Sequence, residues 1–280
     1  MSERWTIVVP VKGDGPPNAG APAKSRLEPP PGVDRQELAL ALAADTVAAA
    51  LGAIGTTGRV VVVTGGERAR RLVAECGAVV VADPGGGLNA AVAQGLEVAG
   101  HDGQEGPAGV LLGDLPSLRD ADLRTALRAC AAYSRALVPD HHGTGTVLLT
   151  AQQPAALHPA FGAGSAARHE QAGHVRLELD LARLRTDVDD GESLRAALRL
   201  GIGPATRAAL GGAAPRVATV ESLATDGSGT VRLEDGRRCR YAASATDGSG
   251  LRRLRPGQRV SVLLPAGESA EVTDVWLPTL

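Results

Sequence analysis

Thr6-Ile-Val-Val-Pro-Val-Lys12, with the loop that runs on to Ala23-Lys-Ser-Arg-Leu27, is the stretch on which the class of this chain turns. Ile7, Val8 and Val9 form a short apolar run rich in β-branched residues. Apolar on both faces and close to the N-terminus, it reads as the first, buried strand of a parallel sheet. The loop behind it holds Gly13, Gly15, Pro16, Pro17, Asn18 and Gly20, a composition that excludes both helix and strand. Lys12 and Lys24 bracket that loop and are the only lysines in 280 residues. Compact ammonium groups held at the end of a first strand suit a bound phosphate. Solvated lysines in a polar loop fit the same residues, and a glycine-rich loop alone does not choose between the two.

Outward from this stretch, apolar runs alternate with helical patterns. Asp34 is an N-cap with Glu37 three residues on, opening a helix through Leu38, Leu42, Val47 and Leu51. Val60 to Val63 is a second buried strand, a helix spans about 67–75, and Val79 to Val81 is a third strand. Asp83-Pro-Gly-Gly-Gly-Leu-Asn89 leads into a helix through Ala91 to Leu96. Gly109 to Leu112 is a strand ending on Gly113-Asp-Leu-Pro116, followed by a helix over 121–131 and a strand at Ala136 to Val138. This alternation predicts an α/β domain over residues 1–212 with a mostly parallel mixed sheet, its ligands lying beyond the strands' C-terminal ends. From Pro215 to residue 280 the pattern changes to five short alternating strands separated by Asp-Gly and Pro-Gly turns, which reads as a small β-barrel of OB or cold-shock type. Its aromatics, Tyr241 and Trp276, are candidates for base stacking, although a docking or oligomerising module suits the barrel better.

Composition narrows the function. A net charge of −2 excludes a general polyanion-binding surface, so nucleic acid is an improbable partner. Cys76, Cys130 and Cys239 lie far apart, which gives neither a disulfide framework nor a zinc site and fits a reducing cytoplasm. There is no signal-peptide pattern, and no apolar run is read as long enough to span a membrane, so a soluble cytoplasmic protein is expected.

Two acidic segments carry candidate chemistry. Asp114 directly follows a buried strand, where a carboxylate points out of the sheet's C-terminal edge; a turn or N-cap aspartate fits equally. In Thr186-Asp-Val-Asp-Asp-Gly191, Asp187 and Asp189 stand two apart, so an extended backbone projects both to one side, while Asp190 caps the helix that follows. Two carboxylates on one face repel unless a cation lies between them, which points to Mg²⁺; a solvated acidic turn remains the alternative. Gly143-Thr-Gly-Thr146 precedes an apolar strand, and Gly162 and Ser165 offer donors for an anion at an apparent helix start, with Arg168 and His169 as possible assistants or a plain surface pair.

The ordered set Val9-Pro-Val-Lys12, Ala23-Lys-Ser-Arg-Leu27, Gly87-Leu-Asn-Ala-Ala91, Gly113-Asp-Leu-Pro116, Gly145-Thr146, Phe161-Gly-x-x-Ser165-x-x-Arg-His169 and Leu184-x-x-Asp-Val-Asp189 resembles the phosphoenolpyruvate or 2-phospholactate guanylyltransferases of coenzyme F-420 biosynthesis. The resemblance covers roughly residues 5 to 205 and implies the fold of nucleotide-diphosphosugar transferases (GT-A-like) and molybdopterin nucleotidyltransferases. It implies transfer of GMP from GTP to a phosphorylated three-carbon acid, phosphoenolpyruvate or 2-phospho-L-lactate, with release of pyrophosphate and a downstream F-420 enzyme as a partner. On this reading Lys12, Lys24 and Arg26 act on the triphosphate, and Gly87, Leu88 and Asn89 lie against the nucleoside. Asp114, Asp187 and Asp189 hold Mg²⁺, and Thr146, Gly162 and Ser165 bind the acceptor. The first loop departs from the family pattern by its length, and the barrel lies outside the family's core. A molybdopterin or sugar-phosphate enzyme of the same fold is the nearest rival, but the first loop lacks the Gly-Gly-x-Ser-x-Arg-Met-Gly pattern of those enzymes. A non-catalytic scaffold with a binding barrel is the rival from another class, and a homodimer is compatible with either.

Overall fold

The computed structural model describes residues 4–12, 27–101, 106–247, 249–251, 253–265 and 270–278. Lys24 and Arg26 lie outside the described residues. Seven strands form the main sheet: β1 (Thr6–Pro10), β2 (Arg59–Thr64), β3 (Val79–Ala82), β4 (Ala108–Leu111), β5 (Arg135–Pro139), β6 (Thr146–Ala151) and β7 (Val175–Arg176). Their order is β3-β2-β1-β4-β6-β5-β7, with β6 antiparallel to both neighbours and every other pair parallel. The first strand is thus central, and all five of its residues are buried.

Helices α1 (Arg35–Ile54), α2 (Glu67–Glu75), α3 (Leu88–His101) and α4 (Asp120–Cys130) alternate with the parallel strands. The Asp34 carboxylate caps α1 by accepting from the Glu37 N–H at 2.8 Å, while the Glu37 carboxylate reaches Arg68. Two apolar clusters sandwich the sheet: one gathers Val47, Leu123 and Leu127 with Ile7 and Val62, the other Val92 and Leu96 with Val8 and Val110. A Cβ on Gly95 of α3 would run into the Val8 and Val63 side chains, so only glycine lets that helix lie so close to the sheet.

The third strand stands where the sequence places it, at the edge of the sheet among the described residues, and its Val79 is 43% exposed. One expectation is corrected here, that no apolar stretch is long enough to span a membrane. α1 is, by length and composition, apolar enough to cross a bilayer; it lies 72% buried inside the fold, and its Asp45 and Thr46 make internal hydrogen bonds.

Beyond α5 (Ser165–Gln171), α6 (Ala182–Arg185), α7 (Gly191–Leu200) and α8 (Pro204–Leu210), a second sheet begins at Arg216. It comprises β8 (Arg216–Leu223), β9 (Gly229–Leu233), β10 (Arg238–Tyr241), β11 (Arg259–Leu263), β12 (Glu271–Val272) and β13 (Asp274–Trp276) in the order β12-β10-β9-β8-β11-β13. β12 and β13 are consecutive in the chain, separated by Thr273, yet stand at opposite ends of this order. One short stretch therefore pairs in parallel with β10 and antiparallel with β11, nearly closing a five-membered Greek-key barrel. Tyr241 and Trp276 are 2% and 4% exposed, so neither is a surface on which a base stacks. Tyr241 belongs to the barrel's own core, whereas Trp276 and Leu263 share a cluster with Leu27, Leu38, Leu42, Val188, Leu194 and Leu198 of the main domain.

Candidate active site

The parallel strands end on one edge of the main sheet, and the chain there leaves β1 through Val11 to Lys12, β3 to Asp83–Gly87, and β4 to Gly113–Asp114. Val11 continues the ladder with its N–H on the Val63 carbonyl at 2.9 Å. A Cβ on Gly113 would lie 2.9 Å from the Pro10 carbonyl, so a glycine there lets the exits of β1 and β4 run side by side. This proximity brings the Lys12 segment toward Asp114.

The turn that carries Asp114 is bolted on four sides. The Val188 N–H donates to the Asp114 carbonyl at 3.0 Å, and the Leu115 N–H donates to Thr46 Oγ1 of α1 at 2.9 Å. The Gly203 N–H donates to the Pro116 carbonyl at 2.9 Å, and Ser117 Oγ donates to the Ala197 carbonyl at 2.9 Å. Asp45, beside Thr46, accepts from the Ala205 and Thr206 N–H groups at 2.9 and 2.8 Å and so caps α8 from across the fold. Neither Asp45 nor Thr46 was singled out in the sequence. The available signal was two adjacent polar residues inside an otherwise apolar helix.

Val188 is fully buried, which turns Asp187 and Asp189 outward together, as the two-residue spacing predicts. Asp190 caps α7, its carboxylate accepting from the Glu192 and Ser193 N–H groups, and Ser193 Oγ accepts from the Asp189 N–H. The outcome is that Asp114, Asp187 and Asp189 each bring a carboxylate oxygen within 4.8 Å of the others. Burial first, then the nearby charges of Asp114 and Asp189, push the Asp187 carboxyl up to about 7. Asp140, at the end of β5, adds to this repulsion and is a third residue the sequence reading missed. Its carboxylate accepts from the Thr144 and Gly145 N–H groups at 2.9 Å each, which shapes the turn into β6. Arg185 locks the same turn through the Pro139 and Asp140 carbonyls.

The remaining predicted residues form two loops clasped to each other. Gly85, Gly86 and Gly87 all adopt positive φ, and Leu88 behind them is 41% exposed. Asn89 does not face outward with its amide: Nδ2 donates to the Phe161 carbonyl at 3.2 Å, and Oδ1 accepts from the Phe161 N–H at 2.8 Å. It therefore fastens the second loop, Gly162–Gly164, to the first. Arg168 grips that loop from below through the Ala160 and Ala163 carbonyls, leaving Gly162, Ala163 and Gly164 exposed.

Thr146 and Ser165 are 1% and 2% exposed, so their hydroxyls are internal; Ser165 Oγ donates to Thr146 Oγ1 at 3.3 Å. His169, completely buried, accepts from the Ala160 N–H at Nε2 and meets Thr146 Oγ1 at Nδ1, 2.9 Å away. An acceptor at Nε2 requires the proton on Nδ1, so His169 is neutral and donates to Thr146. Burial, with His174 and Arg168 nearby, pushes its pKa down to about 4. The pair Arg168-His169 is thus a scaffold for the loop, not a surface pair.

Known proteins resemble this chain in the same region. Residues 38–184 match the MobA-like NTP transferase domain. A phosphoenolpyruvate guanylyltransferase of Streptomyces coelicolor is 50% identical over 208 residues, which cover 73% of this chain and 95% of that protein. One from Geodermatophilus obscurus is 46% identical over 218 residues, 75% of this chain and 95% of that protein. These relatives are matched nearly end to end, while about a quarter of this chain is left over, a share comparable in size to the barrel. A solved structure from Desulfovibrio desulfuricans, described as a candidate nucleotide-diphospho-sugar transferase, is 19% identical with a TM-score of 0.46, covering 64% of this chain and 80% of that one.

Proposed function

The chain belongs to the phosphoenolpyruvate guanylyltransferase family, and from that premise we propose that it transfers GMP from GTP to phosphoenolpyruvate in the assembly of coenzyme F-420. The observation that carries the site is the convergence of Asp114, Asp187 and Asp189 at the edge where the first strand delivers Lys12. A phosphate oxygen of the acceptor attacks the α-phosphorus of GTP, and the bond from that phosphorus to the β-bridging oxygen breaks. Pyrophosphate leaves with the bonding electrons. The attacking oxygen is ionised at neutral pH, so the reaction needs no general base. What the protein must do is hold two polyanions in line and offset their charge.

The donor set fits Mg²⁺: three hard carboxylate oxygens on one side, crowded enough that burial and repulsion raise Asp187. Asp114, Asp187 and Asp189 would hold the ion, which when bound supplies positive charge to the triphosphate. Lys12 offsets charge on the triphosphate from the β1 side, and Lys24 and Arg26 are proposed to join it. The glycine loop ending at Gly87 and Leu88 carries the nucleoside, with Asn89 as its fastener to Phe161. The Gly162–Gly164 loop takes the acceptor, supported from inside by Thr146, Ser165 and His169. A cytoplasmic reaction is part of this proposal, since GTP and phosphoenolpyruvate are its substrates.

The test is the fate of the label when the protein is given GTP labelled at the α-phosphate, with Mg²⁺ and phosphoenolpyruvate. The reading expects the label in a new product that contains both GMP and the three-carbon acid. Label that stays in GTP, or that is released as free GMP without joining the three-carbon acid, contradicts it.

A further inference from the structure

We propose that the C-terminal barrel is a buttress for the acidic loop, and that Trp276 and Asp274 of β13 are positioning residues for the carboxylate trio. The proposal rests on reading Asp114, Asp187 and Asp189 as the divalent-cation site. Two separate connections run from β13 to that loop, one apolar and one ionic.

The apolar connection is a shared core. Trp276 and Leu263 belong to the same buried cluster as Val188, which lies between Asp187 and Asp189, and as Leu27, which closes the lysine-bearing first loop. Val188 is fully buried, Leu27 likewise, and Trp276 is 4% exposed. A tryptophan brings up to about 250 Å² of side-chain surface to such a cluster. Its removal leaves a cavity in the layer that presses Val188 inward, and cores respond to cavities by shifting as well as by losing stability.

The ionic connection runs along α7. At one end, Asp190 caps the helix and Ser193 Oγ accepts from the Asp189 N–H at 2.9 Å. At the other, Arg199 donates to Asp274 Oδ1 at 2.8 Å and to the Asp247 carbonyl at 3.2 Å. Asp274 is only 9% exposed, so this pair is shielded from solvent on the barrel's side. The helix is ten residues long, a rod of about 15 Å that joins barrel and acidic loop without a hinge. Because the Val188 N–H is tied to the Asp114 carbonyl, a shift of Val188 alters the spacing of Asp187 and Asp189 relative to Asp114. A surface that holds the barrel also sets the geometry of the trio.

Mn²⁺ binding to the full chain without nucleotide, followed by electron paramagnetic resonance, tests this directly. Trp276→Ala is expected to weaken Mn²⁺ about tenfold, the loss usual for residues that orient ligands from behind. Trp276→Phe is expected to recover most of that loss. Asp274→Asn keeps shape and core, so it reports on the ionic connection if Trp276→Ala does not fold, and a several-fold weakening is expected. Asp187→Asn is the control. If Asp187→Asn abolishes Mn²⁺ binding while Trp276→Ala and Asp274→Asn bind as the unaltered protein does, the buttress is overturned and the metal site stands. If Asp187→Asn leaves Mn²⁺ binding unchanged, the metal site itself is wrong, and the buttress falls with it.

Discussion

Val188 donates its backbone N–H to the Asp114 carbonyl at 3.0 Å, and this bond joins two segments more than seventy residues apart in the chain. Val188 is fully buried while Asp187 is half-buried and Asp189 exposed, so the same bond that draws the segments together points Asp187 and Asp189 toward the side on which Asp114 stands. Three carboxylates meet there at the exit of the sheet's central strands. Crowding three carboxylates costs stability, and a cation held among them would offset that cost measurably.

The first prediction concerns Asp187. With Mg²⁺ at a hundred times its dissociation constant, the unaltered protein should gain about 2.7 kcal/mol, a rise of roughly 5 °C in melting temperature. Asp187→Asn should show no such rise and should lose at least about a hundredfold in pyrophosphate release while remaining folded. Equal Mg²⁺-induced shifts in both proteins, read by differential scanning fluorimetry, would count against the site.

Gly113 offers a second test, because a methyl group there meets the Pro10 carbonyl at 2.9 Å. The two backbones must part for Gly113→Ala to be accommodated, which separates the Lys12 exit from Asp114. Turnover should fall by about tenfold or more, since small misplacements of positioned groups cost that much. Steady-state kinetics on a variant with native circular dichroism would decide; unaltered kcat and KM contradict the proximity argument.

Asn89 should behave as a fastener and not as a direct contact to the base. Asn89→Ala removes two hydrogen bonds to the Phe161 backbone and should cost about 1–3 kcal/mol. It should also raise KM for the acceptor, which is proposed to bind the loop that Phe161 leads. A rise confined to KM for GTP would show instead that the amide faces the nucleoside.

The fourth prediction is a pH dependence set by His169. Its folded pKa, pushed down to about 4, lies below the ordinary value of 6.5, so the unfolded chain binds the extra proton first. The stability that depends on neutral His169 is therefore complete above about pH 6.5 and is lost as pH falls toward 4. His174, also lowered by burial, acts in the same direction. Urea midpoints measured across that window should fall steeply in the unaltered protein and less steeply in His169→Gln, which should be the less stable of the two at pH 7. Parallel profiles for the two proteins would rule the assignment out.

Much of this architecture is legible in the sequence, for local reasons. Val60 to Val63 and Ile7 to Val9 are β-branched and apolar on both faces, and both are central strands. Asp34 and Asp190 precede their helices with the cap chemistry expected of them, and each accepts the predicted N–H bonds. The barrel announces itself through turn residues, and its strands fall where the alternation places them. What escapes the sequence is long-range. Thr46 reaches Leu115 across sixty-nine positions, and Asp45 reaches Thr206 across one hundred and sixty-one. A lone aromatic has no period, so nothing near Trp276 or Tyr241 tells whether the ring faces water, its own barrel or the neighbouring domain. His169 misleads for a related reason: an Arg-His pair reads as surface, whereas a seven-residue helix turns Arg168 outward and His169 fully inward.

The most direct measurement is pyrophosphate release with Mg²⁺, offering GTP, ATP or CTP in turn with phosphoenolpyruvate, 2-phospholactate or 3-phosphoglycerate. Guanylyl transfer at the Asp114–Asp187–Asp189 edge predicts rapid release with GTP and phosphoenolpyruvate, and little with ATP or CTP. Release that ignores the identity of the base, or that occurs with none of the three acceptors, would contradict the account.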